Sequence, residues 1–494
     1  MSVGMGDLTG LSGGKPWTSE AISPDRPAVM INDEVISFGQ FDADIDAAVG
    51  LLRRAGIGPG TTIASYFGGS SPARPYEQWV AHIAAMRLGA VHATIVDPAG
   101  LSAFPQPIDA IVGVAPEGSS VPVVAITREA LAAVAGDEPL DPATAPDPAR
   151  GARLNLTSGT TGAAKLVRWD APMIAARVRQ AGAAPFIGPE TRLFTHFGSR
   201  VTAGFRYPLA VWGAGGCVLM RTRSGATPPA PSFVDRSTLF VCSPFQLART
   251  LAVKNVPWPG RDERIVLTVG GRLPAAVRER ALKLAAGRVL IGYGSTETGN
   301  IATGDARLTD RHPGAIGRVR TGVTVEIVDA RGRPVPSMTV GRLRIKSPLM
   351  VGKYENAGGQ DQRVGLIDGW FYPGDLGVLF ADGVLAIEGR ASDIVNIGGI
   401  KVAIPAVEEK VRTLPEIADA CACLMQLPTG DRLMIAVVCD DDAFTTIGDR
   451  VSKALGPVSY PFNVARLPRI PRNDMGKVPR LRLARQLAQH FTPA

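Results

Sequence analysis

One segment of this chain combines hydroxyl groups, glycines and a single lysine within ten residues. It reads Leu-Thr-Ser-Gly-Thr-Thr-Gly-Ala-Ala-Lys over positions 156–165. Backbone N–H groups, hydroxyls and a cation that face one point suit a polyphosphate, because charge-assisted hydrogen bonds to phosphate oxygens are strong. The Walker pattern requires Ser or Thr directly after its lysine, whereas Leu166 follows Lys165 here. The segment therefore predicts a phosphate loop outside the P-loop class; the alternative is an ordinary polar loop.

A second segment, Gly-Tyr-Gly-Ser-Thr-Glu-Thr-Gly at 292–299, follows a predicted strand at 289–291. Glycines let a ligand approach the backbone closely. Tyr293 offers a flat face for a base, and Glu297 offers the hard oxygen ligand that Mg²⁺ prefers. The alternative interpretation is a capped loop with a surface glutamate.

Three further groups could do chemistry. Asp375 lies in a predicted tight turn, where a carboxylate can accept hydrogen bonds from both hydroxyls of a ribose; an Asx-type turn is the alternative. Residues 389–402 contain Arg390 and a Gly-Gly-Ile-Lys run. Lys477 lies in a glycine-containing stretch near the end of the chain. A solvated surface lysine is the alternative for Lys477.

The elements that would position these groups follow from hydrophobic periodicity. The pattern predicts helices at 37–55 and 78–88 and strands at 63–67 and 90–96, an alternation typical of an α/β layer with parallel strands. The proline-rich stretch 136–150 indicates a linker. Short strands at 153–156 and 166–169 flank the phosphate loop, so we expect the loop to join two strands.

A second α/β stretch is expected from 171 to about 304, followed by a mainly β subdomain with a hairpin turn at Asp382-Gly383. The last hundred residues predict helices at 406–412 and 443–455, strands at 418–424 and 433–438, and a basic end. The predicted fold class is α/β, with a large N-terminal domain (1–389) of α/β subdomains plus a β subdomain. A small, mobile α+β C-terminal domain (390–494) is expected to carry the loop that contains Lys477.

Composition limits the function classes. The 494 residues carry a formal charge of +8 without a Lys/Arg block, so nucleic acid is not the expected partner. Five cysteines without a CxxC pair argue against a disulfide scaffold or a zinc ribbon. We find no secretory signal pattern in the N-terminal residues and no apolar run long enough for a membrane span, so a cytoplasmic protein is expected.

Together, the order and spacing of these segments resemble the adenylate-forming superfamily, which includes acyl- and aryl-CoA synthetases, nonribosomal peptide adenylation domains and beetle luciferases. The resemblance implies ATP and Mg²⁺ as cofactors and Glu297 as the metal ligand. It implies catalytic roles for Lys477, Thr296 and Glu297. The residues that it implies for nucleotide binding are Thr157, Ser158, Gly159, Thr160, Thr161, Gly162, Lys165, Gly270, Gly271, Tyr293, Gly294, Thr296, Asp375 and Arg390.

The same resemblance implies a hinge at Ser392 and Asp393 and a thiol-side surface of Gly398, Gly399 and Lys401. The candidate residues for the acid pocket are His196, Phe197, Arg200, Phe205, Arg206 and Val269. His196 is equally compatible with a structural role, and Arg200 with a solvent-facing one. Three departures are notable: Ala164 replaces a usual proline, Ser392 replaces a usual Asp or Lys, and residues 194–205 contain no carboxylate that could bind an α-amino group.

The resemblance implies that a small carboxylic acid, aryl or medium-chain, reacts with ATP to give an acyl-adenylate and pyrophosphate, and that the acyl group is then transferred to CoA. An adenylating enzyme that serves a carrier protein or an amine, forming an amide, is the alternative. A non-catalytic nucleotide-binding or scaffolding protein on the same fold is a third class, but it would be expected to lack one of Glu297, Asp375, Arg390 or Lys477.

Overall fold

The computed structural model describes residues 22–68, 74–95, 101, 104, 107–114, 116, 119–134, 151–157, 165–222, 230–355, 362–363, 366–427, 430–458, 460–473 and 476–490. The predicted linker and the phosphate-loop positions 158–164 lie outside these residues. Two compact units are present: Met1–Thr324 with Ile345–Phe371, and Val325–Arg344 with Tyr372–Ala494. The sequence-based boundary between 389 and 390 stays a prediction.

The helices of the described residues are α1 (Phe38–Arg54), α2 (Pro75–Arg87), α3 (Arg128–Ala133), α4 (Ala171–Gly182), α5 (Thr202–Gly213), α6 (Ala230–Arg236), α7 (Pro244–Ala252), α8 (Ala275–Leu284), α9 (Ile404–Val411), α10 (Asp441–Leu455) and α11 (Arg480–His490). The sequence predicted α1, α2, α9 and α10 to within a few residues and gave no bounds for the others. Helix α1 illustrates why a helix forms where it does: the Ser37 side chain caps its start by accepting a hydrogen bond from the Gln40 N–H, and its apolar stripe is buried.

The strands fall into a long first series and a shorter second one. The first series is β1 (Pro27–Ile31), β2 (Glu34–Ser37), β3 (Thr62–Tyr66), β4 (Val91–Thr94), β5 (Ala110–Gly113), β6 (Val123–Val124), β7 (Ala152–Thr157), β8 (Lys165–Asp170), β9 (Arg192–Thr195), β10 (Cys217–Met220), β11 (Leu239–Cys242), β12 (Ile265–Val269), β13 (Arg288–Ser295), β14 (Gly299–Asp305) and β15 (Ala315–Val319). The second is β16 (Thr324–Val328), β17 (Gly341–Lys346), β18 (Lys353–Glu355), β19 (Gln362–Arg363), β20 (Leu366–Ile367), β21 (Trp370–Phe371), β22 (Asp375–Leu379), β23 (Val384–Arg390), β24 (Ile394–Ile397), β25 (Ile400–Ala403), β26 (Asp419–Leu427), β27 (Gly430–Val438) and β28 (Phe462–Arg466).

Two sheets organise the first unit. One contains the order β2-β1-β10-β9-β11-β12-β13-β14-β15, and its strands from β1 to β13 are parallel. The other has the order β19-β18-β8-β7-β4-β3-β5-β6, parallel from β7 to β6. The predicted parallel α/β layers are therefore confirmed.

The second unit contains the predicted β22–β23 hairpin and a three-stranded sheet, β26-β27-β28. On strand β26 the side chains alternate, as the pleat requires. Ala420 and Ala422 join one core cluster, which includes side chains of α9 and α10. Cys421 and Cys423 join another, which includes Leu483 and Leu487 of α11.

Several expectations need correction. Strand β13 continues four residues beyond the predicted 289–291, so Tyr293 and Gly294 lie in a strand rather than a loop. Asp375 begins strand β22 instead of sitting within a turn. The hairpin β24–β25 and helix α11 were not predicted.

Cys217, Cys242, Cys421 and Cys423 are buried, and Cys439 is partly buried; all five are free thiols. Within the described ranges, no helix has the length and apolar character needed to cross a membrane.

Candidate active site

The phosphate-loop segment is the connection of a β-hairpin. Strands β7 and β8 pair antiparallel, and Thr157 opposite Lys165 is the pair beside the loop. The prediction that the loop joins two strands is therefore confirmed. Because paired antiparallel Cα atoms lie roughly 4.5–5.5 Å apart, the two ends of the loop are close together. Ser158, Gly159, Thr160, Thr161 and Gly162 lie outside the described residues.

Several predicted residues meet at the carboxyl edge of the large parallel sheet. Val269 is paired with Gly292 across β12 and β13, so Gly270 follows the end of β12 where Tyr293 follows Gly292 on β13. The His196 N–H donates to the Val241 carbonyl at 3.4 Å, just beyond β9. Ligands of α/β sheets bind at this edge, outside the carboxyl ends of the strands. The fold thus gathers candidates for the base site and the acid pocket at one edge of the sheet.

Gly294 is required by its surroundings. A Cβ atom there would lie 2.1 Å from the Gly299 carbonyl oxygen, which is far below any normal contact. Gly270 has φ +87°, a conformation that glycine adopts readily. The glycines therefore permit both the close pairing of β13 with β14 and the tight exit from β12.

The turn between β13 and β14 holds Thr296 and Glu297 in place. The Ser295 hydroxyl accepts from the Glu297 and Thr298 N–H groups, each at 3.2 Å. The Thr296 hydroxyl lies 3.1 Å from the Thr202 hydroxyl at the start of α5. Side-chain bonds to backbone amides of this kind stabilise a turn locally. Thr296 is consequently oriented from two sides.

Glu297 has the chemistry of a magnesium ligand. Its Oε1 accepts a hydrogen bond of 3.0 Å from the Tyr354 hydroxyl, and the side chain is only partly buried. Burial and the Glu297 charge raise the pKa of Tyr354, so this phenol stays a neutral donor. Mg²⁺ is commonly held by one or two carboxylates together with phosphate oxygens. The described ranges contain no cluster of three or more His, Cys, Asp or Glu that could hold a metal ion.

Arg177 is a positioning residue that the sequence did not reveal. Its guanidinium, on helix α4, donates to the carbonyls of Thr296 at 2.9 Å and Leu349 at 2.6 Å, and it lies 4.2 Å from the Trp169 ring centroid. Burial, together with the charge of Arg206, lowers its pKa to about 9, so it remains charged at pH 7. Its carbonyl partners lie 119 and 172 residues away, and no local pattern signals them.

Two pocket candidates are tightly packed. His196 Nε2 lies 3.0 Å from the Thr250 hydroxyl, and burial, with the charges of Arg221 and Arg249, lowers the His196 pKa to about 4. It is therefore neutral at pH 7. Phe205 is 1% exposed and stacks on Trp79 at a centroid distance of 5.5 Å.

The remaining candidates differ in exposure. Phe197 is buried, whereas Arg200 and Val269 are partly exposed. The pocket roles of His196, Phe197, Arg200, Phe205 and Val269 stay predictions.

In the second unit, the two residues predicted for the ribose meet. Asp375 and Arg390 form a cross-strand pair, and Arg390 Nε lies 3.3 Å from Asp375 Oδ1. Asp375 is buried and Arg390 is partly exposed. The predicted hinge residues Ser392 and Asp393 follow in a short 3₁₀ turn, Ala391–Asp393.

Gly398 and Gly399 form the turn of the β24–β25 hairpin, with φ values of +59° and +89°. Lys401 lies on β25 opposite Asn396. Lys477 is exposed, and its N–H donates to Asn473 Oδ1 at 2.9 Å.

Comparison with known proteins identifies the family of this chain. A family model described as AMP-binding enzyme matches residues 17–355. The human mitochondrial malonate–CoA ligase is 30% identical over 260 residues, which cover 47% of this chain and 44% of that protein. The sulfoacetate–CoA ligase of Cupriavidus necator is 25% identical over 503 residues, 93% of this chain and 94% of its own.

Solved structures share the fold. ATP-bound MatB from Rhodopseudomonas palustris has a TM-score of 0.77 at 21% identity, covering 95% of this chain and 97% of its own. The o-succinylbenzoate–CoA synthetase of Bacillus subtilis, in complex with ATP and magnesium, has a TM-score of 0.75 at 20% identity, covering 94% and 97%.

The chain belongs to the AMP-binding enzyme family, within the adenylate-forming superfamily. Its relatives include AMP-forming acid–CoA ligases, a class whose substrates are a carboxylic acid and CoA. The chain spans less than half the length of the human relative, and nearly the full length of the bacterial one.

Proposed function

We propose that this chain is an AMP-forming acid–CoA ligase. It uses ATP to convert a carboxylic acid into an acyl-adenylate, releases pyrophosphate and transfers the acyl group to the thiol of CoA. The observation that carries the proposal is the turn after β13, where Thr296 and Glu297 are oriented by Thr202 and Tyr354 at the carboxyl edge of the sheet. This edge is where α/β folds bind nucleotides.

The chemistry explains why these residue types are needed. A carboxylate is a poor electrophile because its leaving group would be oxide. Attack of a carboxylate oxygen on the α-phosphorus of ATP forms a new P–O bond while pyrophosphate departs. The protein contributes positioning and charge stabilisation rather than covalent chemistry. Lys477 offsets charge on the reacting groups, and Thr296 contacts the α-phosphate. Glu297 would hold Mg²⁺, which supplies positive charge against the phosphates when bound.

The nucleotide is held by the remaining predicted residues. Tyr293 stacks on the adenine, and the paired Asp375 and Arg390 take the ribose. The hairpin stem from Thr157 to Lys165 presents the loop that binds the β- and γ-phosphates. This assignment is supported by strand register, because pairing brings Asp375 opposite Arg390 and Thr157 opposite Lys165.

The acid belongs to one of two classes. The sequence prediction is an aryl or medium-chain acid. The relatives named for malonate and sulfoacetate suggest a short acid with a second anionic group. One observation favours the second class: Arg206 is 6% exposed, and its Nε has no hydrogen-bond partner among the described residues. Arg206 lies one helical turn after Thr202, which contacts Thr296.

The test is pyrophosphate release from ATP over a panel of acids, followed by addition of an acceptor to the preformed adenylate. We expect malonate or sulfoacetate to react faster than benzoate or hexanoate, and CoA to yield a thioester. Absence of pyrophosphate release with every acid would refute the proposed function. Transfer to a carrier protein or to simple amines, but not to CoA, would instead establish the alternative acceptor class.

A further inference from the structure

Each end of the segment around Lys477 is held by an arginine. At the upstream end, Arg472 makes a forked contact with the Asp419 carboxylate, with Nη2 at 2.8 and 2.9 Å from its two oxygens and Nε at 3.1 Å. Arg472 Nη1 also donates to the Gly476 carbonyl at 2.8 Å. Bidentate arginine–carboxylate pairs fix geometry as well as contributing energy. The residue directly before Lys477 is therefore tied to the start of strand β26.

At the downstream end, Arg480 begins helix α11 and points into the small unit. Its Nη1 lies 2.5 Å from Glu408 Oε1 and also donates to the Ala422 carbonyl. Glu408 is 6% exposed, and its Oε1 accepts from the Ala422 N–H at 2.9 Å. Burial alone would raise the Glu408 pKa, but the hydrogen bond and charge of Arg480, with the Ala422 N–H, hold it below its usual value. This ion pair, in which Glu408 is buried and Arg480 is partly buried, is thus formed at neutral pH.

The two anchors share one strand. Asp419 and Ala422 both belong to β26, so Lys477 is bracketed by attachments five residues before it and three residues after it. Arg480 Nε additionally lies 3.7 Å from Asp393 Oδ1, in the predicted hinge turn. A backbone hydrogen bond also joins Lys477 to the residue four positions before it, because the Asn473 N–H donates to the Lys477 carbonyl at 2.9 Å. A long, flexible lysine side chain thereby starts from a fixed point.

We infer that Arg472 and Arg480 are positioning residues for Lys477 in the adenylation step. The inference rests on the proposed function, since it assigns their effect to the reaction in which Lys477 acts. Electrostatic stabilisation depends on groups that are already in place when charge develops. A displacement of about 1 Å can lower a rate by roughly 10²-fold. Loosening either anchor should therefore slow adenylation without removing any group that binds ATP.

The experiment compares Arg480→Gln and Arg472→Gln with the matched control Arg412→Gln. Arg412 contacts the same two carboxylates, Glu408 at 3.3 Å and Asp419 at 3.7 Å, but it follows α9 and is distant in sequence from Lys477. We expect pyrophosphate release to fall about 10- to 100-fold in the first two variants with little change in the KM for ATP. Thioester formation from supplied acyl-adenylate should persist. The control should lose comparable thermal stability and keep adenylation, and Arg480→Lys should recover part of the rate.

A double variant distinguishes positioning from general damage. If Arg480 acts through Lys477, adding Arg480→Gln to Lys477→Ala should lower adenylation no further. Multiplicative losses in the double variant, equal loss of both half-reactions, or an adenylation defect as large in Arg412→Gln would overturn the inference. An unmodified enzyme that releases no pyrophosphate with any acid would instead refute the proposed function.

Discussion

A lysine has a four-carbon stem and a strongly hydrated ammonium, so an isolated exposed lysine usually does no more than solvate a surface. Lys477 differs because its N–H and carbonyl are both bonded to Asn473. At the level of single residues, the hydrogen bonds of its backbone distinguish Lys477 from an ordinary solvated lysine.

Lys477→Ala should therefore retain ATP binding and lose adenylation by on the order of 10²-fold or more, as for loss of a key electrostatic donor. ATP binding by calorimetry and pyrophosphate release with the best acid would measure the two effects separately. Lys401→Ala is the matched control, because we expect it to spare the first half-reaction. Near-normal pyrophosphate release by Lys477→Ala would contradict the assignment.

Glu297→Gln should raise the Mg²⁺ concentration needed for half-maximal pyrophosphate release by about tenfold, because it removes a charged oxygen ligand. Tyr354→Phe keeps the carboxylate and removes only the phenol that orients it, so its shift should be smaller. A Mg²⁺ titration of both variants measures this. Superimposable titration curves for Glu297→Gln and the unmodified enzyme would exclude Glu297 as the metal ligand.

At the scale of helices and strands, the contacts that hold the candidate site join elements that are distant in sequence. Arg177 connects helix α4 to the turn after β13 and to Leu349. The helical spacing of α4 indicates only that position 177 is buried. Because arginine is rarely buried without partners, that position implies some partner but does not identify it. The turn that carries Thr296 and Glu297 is thus held by an element more than a hundred residues earlier in the chain.

Arg177→Met should lower the free energy of unfolding by about 2–4 kcal/mol, since carbonyls of Leu349 and Thr296 lose a charged donor. It should also raise the KM for ATP. Arg179→Met, at an exposed position of the same helix, should change stability by less than about 0.5 kcal/mol. Chemical denaturation of both variants gives the comparison. Equal stability of the two would mean that Arg177 does not hold the turn.

Local patterns predicted four helices, at 37–55, 78–88, 406–412 and 443–455, and part of the strands, whereas the site residues were assigned from the family resemblance. The amphipathic helix from Phe38 and the hairpin at Asp382-Gly383 follow from short-range rules, and the phosphate-loop stem follows from two flanking apolar runs. Helix α11 was missed because its buried side chains, Leu483 and Leu487, are few among many polar ones. Arg177 was missed for a different reason: its partners are brought near only by the tertiary fold.

At the scale of the whole chain, the turn Ala391–Asp393 lies in sequence between the Asp375–Arg390 strand pair and the hairpin with Gly398 and Gly399. The resemblance to adenylate-forming enzymes implies that this turn is a hinge that presents Lys477 for one half-reaction and the glycine side for the other. Two-step enzymes commonly use such motions to assemble one site at a time.

Ser392→Pro should stiffen this turn, because proline fixes φ and restricts the residue before it. Adenylation should then be spared more than acyl transfer, with a difference of roughly tenfold or more if the motion limits transfer. Single-turnover pyrophosphate release and thioester formation measure the two steps, and Ser392→Ala is the control. Equal loss of both steps in Ser392→Pro would argue against a hinge motion between the two half-reactions.

The buried cysteines give each unit an internal reporter. Burial raises the pKa of Cys217 and of Cys423 to about 11 and that of Cys242 well above its usual value, so these thiols are protonated and shielded from alkylating dyes. Cys217 and Cys242 lie in the first unit, and Cys421 and Cys423 in the second. Dye incorporation followed by peptide mass spectrometry would therefore time the opening of each unit separately, without any engineered label. The acid, the nucleotide and the acceptor could then be compared by how far each one slows dye incorporation in each unit.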